Sequence, residues 1–367
     1  MTAEQVQWQT LAVLGLAFSS SLLLGFVLHR SHFCAMGAVS DWLLMGNTRR
    51  ARQWAWALAV AMLGFAALVG LCGISPLNTL YNTQRLPWLS LLLGGWLFGV
   101  GMVLGSGCVS KTVVRLGAGN LKSLVVLMAM GLTVLASMRG LPAVWRVQWV
   151  ERVDLSWAVG PFASQWLAKL AGWSLSLSAV VLALVLATGL IAWAAGARPW
   201  QTTETVMPGV GVGLLAVLLW WCSGVLGWVP EHPETLESVF LTTASGRMES
   251  MSFAGPVGLW LDAFLYYSDG TKRLTFGMAL LPGVLLGSSL SAWRSGTFRW
   301  EGFTQTTDLV RHLLGGCLMG VGAVMAMGCT FGQGLSGLST LSLGSVLASA
   351  GMVLGAVSTL QWQMRHD

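Results

Sequence analysis

Residues 94–108 read GGWLFGVGMVLGSGC, and residues 315–329 read GGCLMGVGAVMAMGC. The two segments align without a gap at an offset of 221 residues, and nine of their fifteen positions are identical. Each is apolar enough for a membrane helix, and each ends in a glycine followed by a cysteine, at Gly107–Cys108 and Gly328–Cys329. Self-similarity of this kind indicates duplication of a helical element.

Glycines four residues apart, such as Gly95 and Gly99, form the small-xxx-small pattern that lets membrane helices pack closely. Close packing explains most of these glycines, but not the Gly-Cys pair that ends each segment. Polar, glycine-rich stretches follow both pairs, VSKTVVRLGAGN after Cys108 and TFGQGLSG after Cys329. Irregular backbone at membrane depth is tolerated only where it is buried in protein or lines a cavity. We therefore predict a broken or re-entrant helix in each half, with the cysteine at the break.

The rest of the chain is as apolar as these segments. Of its 367 residues, 55% are hydrophobic and 9% are charged, with a mean hydropathy of +0.70, whereas a soluble domain carries about 25% charged residues. A helix that spans the membrane needs roughly 20 apolar residues. Nine runs approach this length: Leu11–Leu28, Trp54–Leu71, Leu89–Leu104, Leu121–Ser137, Trp173–Ala195, Val210–Val229, Leu274–Leu290, Leu313–Met327 and Leu343–Leu360. The sequence predicts an all-α polytopic membrane protein with about nine spans.

A weaker echo precedes each repeated segment. The run HRSHFC at residues 29–34 has a counterpart in WRSGTF at residues 293–298, although no cysteine follows Phe298 as Cys34 follows Phe33. Three cysteines thus occupy four motif positions, which predicts two related but unequal halves.

These repeats predict how one integrated transmembrane domain is divided. The first half is expected at residues 1–139, with motifs at 30–41 and 94–124. The second half is expected at residues 275–367, with motifs at 294–298 and 315–345. Residues 140–274 are predicted to form connecting helices and a polar loop.

The six cysteines show no CxxC spacing, which disfavours a metal finger or a thiol–disulfide exchange site. Three of them lie in apolar runs away from the motifs, where a free cysteine packs as a small hydrophobe: Cys72, Cys222 and Cys317. The motif cysteines Cys34, Cys108 and Cys329 leave three roles open. They can pack, they can ligate a soft metal together with nearby methionines, or they can contact a soft anion that contains sulfur or selenium.

Positive side chains stand close to two of the motif cysteines. Lys111 and Arg115 follow Cys108, and Arg30 precedes Cys34. Ionisable residues near membrane depth are functional candidates by default, and helix N-termini at a break carry partial positive charge, so the pattern favours an anion. We predict an anion pathway along both Gly-Cys pairs with Lys111, Arg115, Gln333 and, at an entrance, Arg30. The alternative is interfacial anchoring of these basic side chains, with Asp41 paired to a nearby arginine.

Other classes of protein find little support in the sequence. No nucleophile–base pair or phosphate-binding glycine loop is present, so we predict neither an enzyme nor a bound cofactor or metal. The net charge of +6 is spread over the loops between the apolar runs, which indicates membrane topology and excludes a nucleic-acid patch. No basic residue precedes the first apolar run, and we expect this helix to remain in the mature protein.

At the motif residues the chain resembles a known family. The runs RSHFCAMGAVSD (30–41), GMVLGSGCVSKTVVRLGAGNLKSL (101–124) and GGCLMGVGAVMAMGCTFGQGLSGLSTLSLGS (315–345) look like those of the YeeE/YedE family of bacterial sulfur-transport-domain membrane proteins, particularly its YedE branch. The resemblance implies a bundle of two inverted repeats in the bacterial inner membrane. It also implies uptake of thiosulfate, or of a related sulfur or selenium anion, along a narrow path. In this path Cys34, Cys108 and Cys329 would contact the terminal sulfur of the substrate through S–H···S hydrogen bonds.

Two further functions remain open at the level of sequence. Members of the resembled branch commonly accompany a small TusA-like sulfur-carrier protein, so the chain is alternatively a membrane anchor or partner for such a carrier. A channel for a soft metal is the other alternative.

Overall fold

The structure, a computed structural model, describes residues 2–196, 203–233, 236–270 and 273–366. Across those ranges, nine helical segments are long and apolar enough to cross a membrane: Ala3–Met45, Arg49–Cys72, Trp88–Gly117, Leu121–Arg139, Leu175–Ala195, Thr203–Leu226, Phe276–Arg294, Thr306–Met325 and Leu343–Arg365. Strands are confined to two short antiparallel pairs among the described residues. The predicted all-α, multi-spanning membrane fold is therefore confirmed.

The α-helices are numbered here in chain order. They are α1 (Ala3–Ser31), α2 (Ala35–Met45), α3 (Arg49–Cys72), α4 (Trp88–Leu104), α5 (Val109–Gly117), α6 (Leu121–Arg139), α7 (Leu141–Trp145), α8 (Ala163–Ala171), α9 (Leu175–Ala195), α10 (Thr203–Trp221), α11 (Ala254–Leu265), α12 (Phe276–Arg294), α13 (Thr306–Met325) and α14 (Leu343–His366). A 3₁₀ turn covers Pro76–Asn78, and π-helical segments cover Arg146–Val150, Cys222–Leu226 and Gly332–Gly337. Strand β1 (Arg85–Leu86) pairs with β2 (Leu155–Ser156), and β3 (Trp228–Val229) pairs with β4 (Val239–Phe240).

Two of the nine spans are interrupted. The first changes direction between α1 and α2, where His32 adopts a left-handed conformation with φ of 52°. The third is interrupted between α4 and α5, at residues 105–108. A further break follows α13, whose last helical residue is Met325, and the chain resumes in the π-helical segment Gly332–Gly337. All three motif cysteines lie at these interruptions.

Helix packing depends on the repeated glycines. In the crossing of α4 and α13, a Cβ at Gly322 would lie 2.6 Å from the carbonyl oxygen of Gly94, and a Cβ at Gly101 would lie 2.7 Å from that of Gly315. Because the residue numbers run in opposite directions along the contact, the two helices are antiparallel. The duplicated segments therefore pack directly against each other, with their Gly-Cys ends at opposite ends of the crossing.

The other long helices pack on this pair or on one another. Helix α14 packs along α4 and α6 along α13, while α1 packs along α12 and α3 along α10. The main hydrophobic core runs through these contacts and includes all three motif cysteines, each at most 4% exposed. The breaks are thus held inside the protein, as irregular backbone at membrane depth must be.

Candidate functional site

The two Gly-Cys breaks have the same backbone geometry. After α4, the Gly107 amide donates to the Met102 carbonyl at 2.8 Å, and Ser106 is left-handed with φ of 57°. After α13, the Gly328 amide donates to the Ala323 carbonyl at 2.8 Å, and Met327 is left-handed with φ of 56°. Together with the bonds one residue inward, this is the Schellman termination of a helix. The repeat in sequence therefore produces two matching turns, each of which delivers a cysteine.

A long polar side chain stabilises each turn. The Arg115 guanidinium donates to the Ser106 carbonyl at 2.8 Å. At the second turn, the Gln333 amide donates to the carbonyl oxygens of Ala326 at 2.7 Å and Met327 at 3.0 Å. Two residues that the sequence analysis placed in the anion pathway therefore bond to the backbone of the breaks.

Gly107 and Gly328 make room for the residues that follow them. A Cβ at Gly107 would lie 3.2 Å from Cγ of Lys111, and a Cβ at Gly328 would lie 3.2 Å from Cγ of Gln333. Both distances are shorter than ordinary carbon contacts, which are about 3.5–4.0 Å. Each glycine thus permits the next helical turn to fold back against the Gly-Cys pair.

Two of the three motif cysteines occupy helix N-cap positions. Cys34 is the N-cap of α2, and its sulfur accepts a hydrogen bond from the Gly37 amide at 3.4 Å. Cys108 is the N-cap of α5, and its sulfur lies 3.2 Å from the Ser110 hydroxyl. The thiols of Cys34 and Cys108 are in hydrogen-bonding contact with each other. Two helix N-termini, which carry partial positive charge, therefore converge on one pair of thiols.

The third thiol, that of Cys329, belongs to the break after α13. The side chain of its neighbour Thr330 lies beside the Cys108 thiol. The Thr330 hydroxyl is buried and has no oxygen or nitrogen partner among the described residues. The sequence predicted an anion pathway along the two Gly-Cys pairs and placed Arg30, just before Cys34, at an entrance to it. The observed contact puts the thiols of Cys34 and Cys108 side by side, and the loop that carries Cys329 lies next to them.

An aromatic cluster joins the loops that carry the cysteines. The rings of Phe33 and Phe331 both contact Trp54, with centroid distances of 4.8 and 5.2 Å, and Phe253 stands edge-on to Phe331 at 5.4 Å. Phe33 precedes Cys34, and Phe331 follows Cys329 by two residues. Sequence analysis missed Trp54 and Phe253 because both lie outside the repeated motifs, and their contacts are distant in sequence.

A basic mouth lies beside the Cys34–Cys108 pair. Arg30, Arg49 and Arg50 line a cavity of about 810 Å³ at the start of α3. Arg50 pairs with Asp41 at 3.2 Å, and Arg49 pairs with Glu204 at 2.6 Å. The nearby arginine that was predicted to pair with Asp41 is therefore Arg50. Arg30 makes no ion pair within the part of the chain that is described, so its charge remains available to an anion.

Other positive groups lie near the mouth or near the thiols. A second cavity of about 350 Å³ connects Arg30 with His29, and with Arg294 at the end of α12. Lys111, which is half-buried, lies within electrostatic range of both Cys34 and Cys108. Positive groups therefore stand both at the mouth and beside the thiol pair.

The cysteines away from the motifs have different surroundings. Cys222 is buried and lies 3.6 Å from the Val13 carbonyl oxygen. Cys317 is half-buried on α13, and Cys72 is exposed at the end of α3. The predicted packing role therefore fits Cys222, whereas Cys72 lies on the outer surface of the protein.

A many-helix membrane bundle that directs broken helices, thiols and positive groups at one buried centre has the architecture of a transporter. The chain belongs to the family described as sulphur transport, whose model matches residues 30–358. Its curated relatives include a protein from Escherichia coli named thiosulfate transporter TsuA, 28% identical over 93% of this chain and 91% of the relative. A protein of the same name from Spirochaeta thermophila is 30% identical over 91% of this chain and 94% of the relative. The resemblance noted in the sequence is confirmed, and the protein is a transporter rather than an enzyme.

Proposed function

We propose that this protein is a permease for thiosulfate, or for a closely related sulfur or selenium anion, in the bacterial inner membrane. The observation that carries the proposal is the Cys34–Cys108 pair, in which two thiols in contact stand at the N-termini of two helices beside a positively charged mouth. Thiosulfate presents a soft terminal sulfur and a negative charge, and this site offers a partner for each. The names of the relatives from two bacteria agree with this choice of substrate.

The proposed path begins at the basic mouth. Arg30 and Lys111 attract the anion by long-range electrostatics. At the thiol pair, S–H groups donate to the terminal sulfur, while the N-termini of α2 and α5 stabilise the charge without a fixed counter-ion. The Cys329 loop then receives the anion from the Cys108 position. Thiols are weak donors, so the anion is bound at each step without being trapped.

Gly107, Gly328, Arg115 and Gln333 have supporting roles in this proposal. They fix the two turns from which the cysteines project, and they leave the thiols as the groups that contact the anion. The sequence contains no nucleotide-binding motif. Transport is therefore driven by a gradient, by a partner or by consumption of the anion after entry.

Substitution of the thiols tests the path. Cys108→Ala and Cys329→Ala should each abolish thiosulfate uptake by proteoliposomes, because the path loses a donor at a narrow position. Cys222→Ala is the matched control, since this thiol is equally buried but lies outside the breaks. Uptake that persists in both motif variants, at unchanged protein abundance, would refute a thiol-lined path.

The same proteoliposomes can identify the substrate and test whether a partner protein is needed. Competition of labelled thiosulfate with sulfite, selenite and sulfide ranks the anions, and preference for selenite would reassign the substrate. Uptake by the purified protein alone supports a permease. Uptake that requires an added TusA-like carrier would instead support the role of a membrane partner. Protection of the thiols from alkylation by metal ions but not by thiosulfate would indicate a soft-metal channel.

A further inference from the structure

Tyr81 lies in the loop between α3 and α4, outside every motif in the sequence. It is 7% exposed, whereas the other two tyrosines, Tyr266 and Tyr267, are 60% and 89% exposed. Burial raises the pKa of Tyr81, so its hydroxyl remains a neutral hydrogen-bond donor. A buried tyrosine needs a partner for that donor, and the partner identifies what the residue does.

The Tyr81 hydroxyl donates to the carbonyl oxygen of Gly332, three residues after Cys329. Its ring lies against the same segment, since a Cβ at Gly337 would come within 3.0 Å of Cε1 of Tyr81. Trp220 stands edge-on to Tyr81 with a centroid distance of 6.3 Å. The two rings therefore pack against the chain that leaves the third thiol.

Trp220 secures the other end of this segment. Its indole N–H donates to the Ser339 hydroxyl at 3.1 Å, and Trp220 is fully buried. Tyr81 and Trp220 thus bond to the beginning and the end of residues 332–339. Any widening of the path beyond Cys329 that displaces this segment has to break these bonds.

The Tyr81 loop lies at the end of the bundle remote from the basic mouth. Helix α3 begins at Arg49, beside the mouth, and continues for 24 residues to Cys72, a length of about 36 Å at 1.5 Å per residue. The loop that follows α3 is bonded to residues 247–249, with the Leu80 amide donating to the Met248 carbonyl at 3.2 Å. The two loops together cover the Cys329 end of the path.

The charges near Tyr81 differ from those at the mouth. Its hydroxyl lies within electrostatic range of Cys329 and of Glu249. Glu249 accepts hydrogen bonds from the amide and hydroxyl of Ser245, at 2.8 and 2.6 Å. Arg247, in the neighbouring loop, donates to the Asn82 carbonyl at 2.5 Å. The Cys329 end therefore offers an anion a carboxyl group and a tyrosine instead of the cluster of arginines.

We propose that Tyr81 is a further path residue, which closes the Cys329 end of the path through its bond to the Gly332 carbonyl. The inference rests on the proposed path through the three thiols. All three thiols are at most 4% exposed, so the structure is closed and passage requires an opening. Release of the Tyr81 hydroxyl frees both the carbonyl and the segment behind Cys329, and it supplies a neutral donor to the passing anion.

Residue-resolved alkylation tests this role without any transport measurement. The full-length protein in liposomes is treated with N-ethylmaleimide, and mass spectrometry follows the peptides that contain Cys329 and Cys34. Tyr81→Phe keeps the ring and removes the hydroxyl, and it should raise the alkylation rate of Cys329 about five-fold, the ratio that corresponds to one hydrogen bond of about 1 kcal/mol. Cys34 should react at its wild-type rate. Tyr267→Phe is the matched control and should change neither rate.

Two results would overturn the assignment. One is a Cys329 rate in Tyr81→Phe that stays within about two-fold of wild type. The other is an equal rise at Cys34 and Cys329, which would indicate general loosening of the fold rather than opening at one end. The alkylation rates are measured without thiosulfate. They therefore test the role of Tyr81 even if the uptake assay rejects thiosulfate as the substrate.

Discussion

Gln333 shows how a polar side chain at the centre of a membrane protein can be structural. It is 2% exposed, its amide nitrogen bonds two carbonyl oxygens, and its own oxygen accepts from the Ser345 hydroxyl at 2.6 Å. The side-chain amide of Gln333 therefore makes its three hydrogen bonds to other groups of the protein. The turn that carries Cys329 depends on it, because the carbonyls of Ala326 and Met327 have no other side-chain donor among the described residues.

Replacement of Gln333 should destabilise the second break. Gln333→Ala leaves two carbonyl oxygens and a hydroxyl without partners, at a cost of about 1–3 kcal/mol for a buried group left unpaired. We expect a lower midpoint of thermal unfolding in detergent together with faster alkylation of Cys329. Gln305→Ala, at an exposed position, is the control and should leave both quantities unchanged. An unaltered midpoint in Gln333→Ala would show that the turn does not need its amide.

At the scale of single residues, the functional candidates that could be predicted from the sequence were those inside the repeated motif. Cys108, Cys329 and their glycines were found because the same pattern occurs twice. Tyr81, Trp54 and Phe253 were not found, because each meets the centre through contacts across long sequence separations. No local pattern distinguishes them from other aromatic residues in an apolar chain.

Among the elements, the crossing of α4 and α13 brings the two repeated segments into close backbone contact. The glycines on both helices face the partner backbone, so neither helix can be moved along the other without steric conflict. The position of each Gly-Cys turn is consequently determined by helix packing as well as by its own hydrogen bonds.

Gly322→Ala should disrupt this crossing. Its Cβ would lie 2.5 Å from the Phe98 amide nitrogen and 2.6 Å from the Gly94 carbonyl oxygen, and overpacking of this kind costs about 1–3 kcal/mol. We expect a lower yield of folded protein and a lower thermal midpoint. Gly15→Ala is a suitable comparison, because no atom lies within 4 Å of the added Cβ. It should be neutral or slightly stabilising, since alanine favours a helix more than glycine does. Equal behaviour of the two variants would contradict the packing argument.

Helix existence was predictable from apolar length, but helix ends were not. The predicted run Leu89–Leu104 became a span of Trp88–Gly117, because α5 continues beyond the break and remains inside the protein. Likewise, the π-helical form of residues 332–337 has no signal in the sequence. Hydropathy reports whether a segment avoids water, and it does not report where the backbone turns within that segment.

Across the whole molecule, charge distinguishes the two ends of the proposed path. The end at Cys34 and Cys108 adjoins arginines, whereas the end at Cys329 adjoins Tyr81 and Glu249. The division into two pseudo-symmetric halves stays a prediction. Residues within 140–274 nevertheless contribute to the centre, since Phe253 packs on Phe331. This contribution was not predictable, because the segment carries none of the repeated motifs.

Arg30→Gln should weaken capture of the anion at the basic mouth. Arg30 is exposed and makes no ion pair among the described residues. One exposed charge contributes less than about 1 kcal/mol, so we expect KM for thiosulfate uptake to rise about three-fold at low salt and less at high salt. Arg85→Gln removes an exposed charge close to the Tyr81 loop and is the control. A rise in KM for Arg85→Gln alone would place the point of capture at the opposite end.

The use of cysteine as an N-cap has a consequence for protein engineering. A procedure that optimises helix ends would replace Cys34 and Cys108 with aspartate or serine, which are far better caps. The redesigned helices would gain stability, but their free amides and positive ends would then be satisfied by the protein itself. No helix N-terminal amide would then be left to bind an anion at the centre of the protein. In the proposed path, weak capping at these two residues lowers stability in favour of transport, and thermostabilised versions should leave both positions untouched.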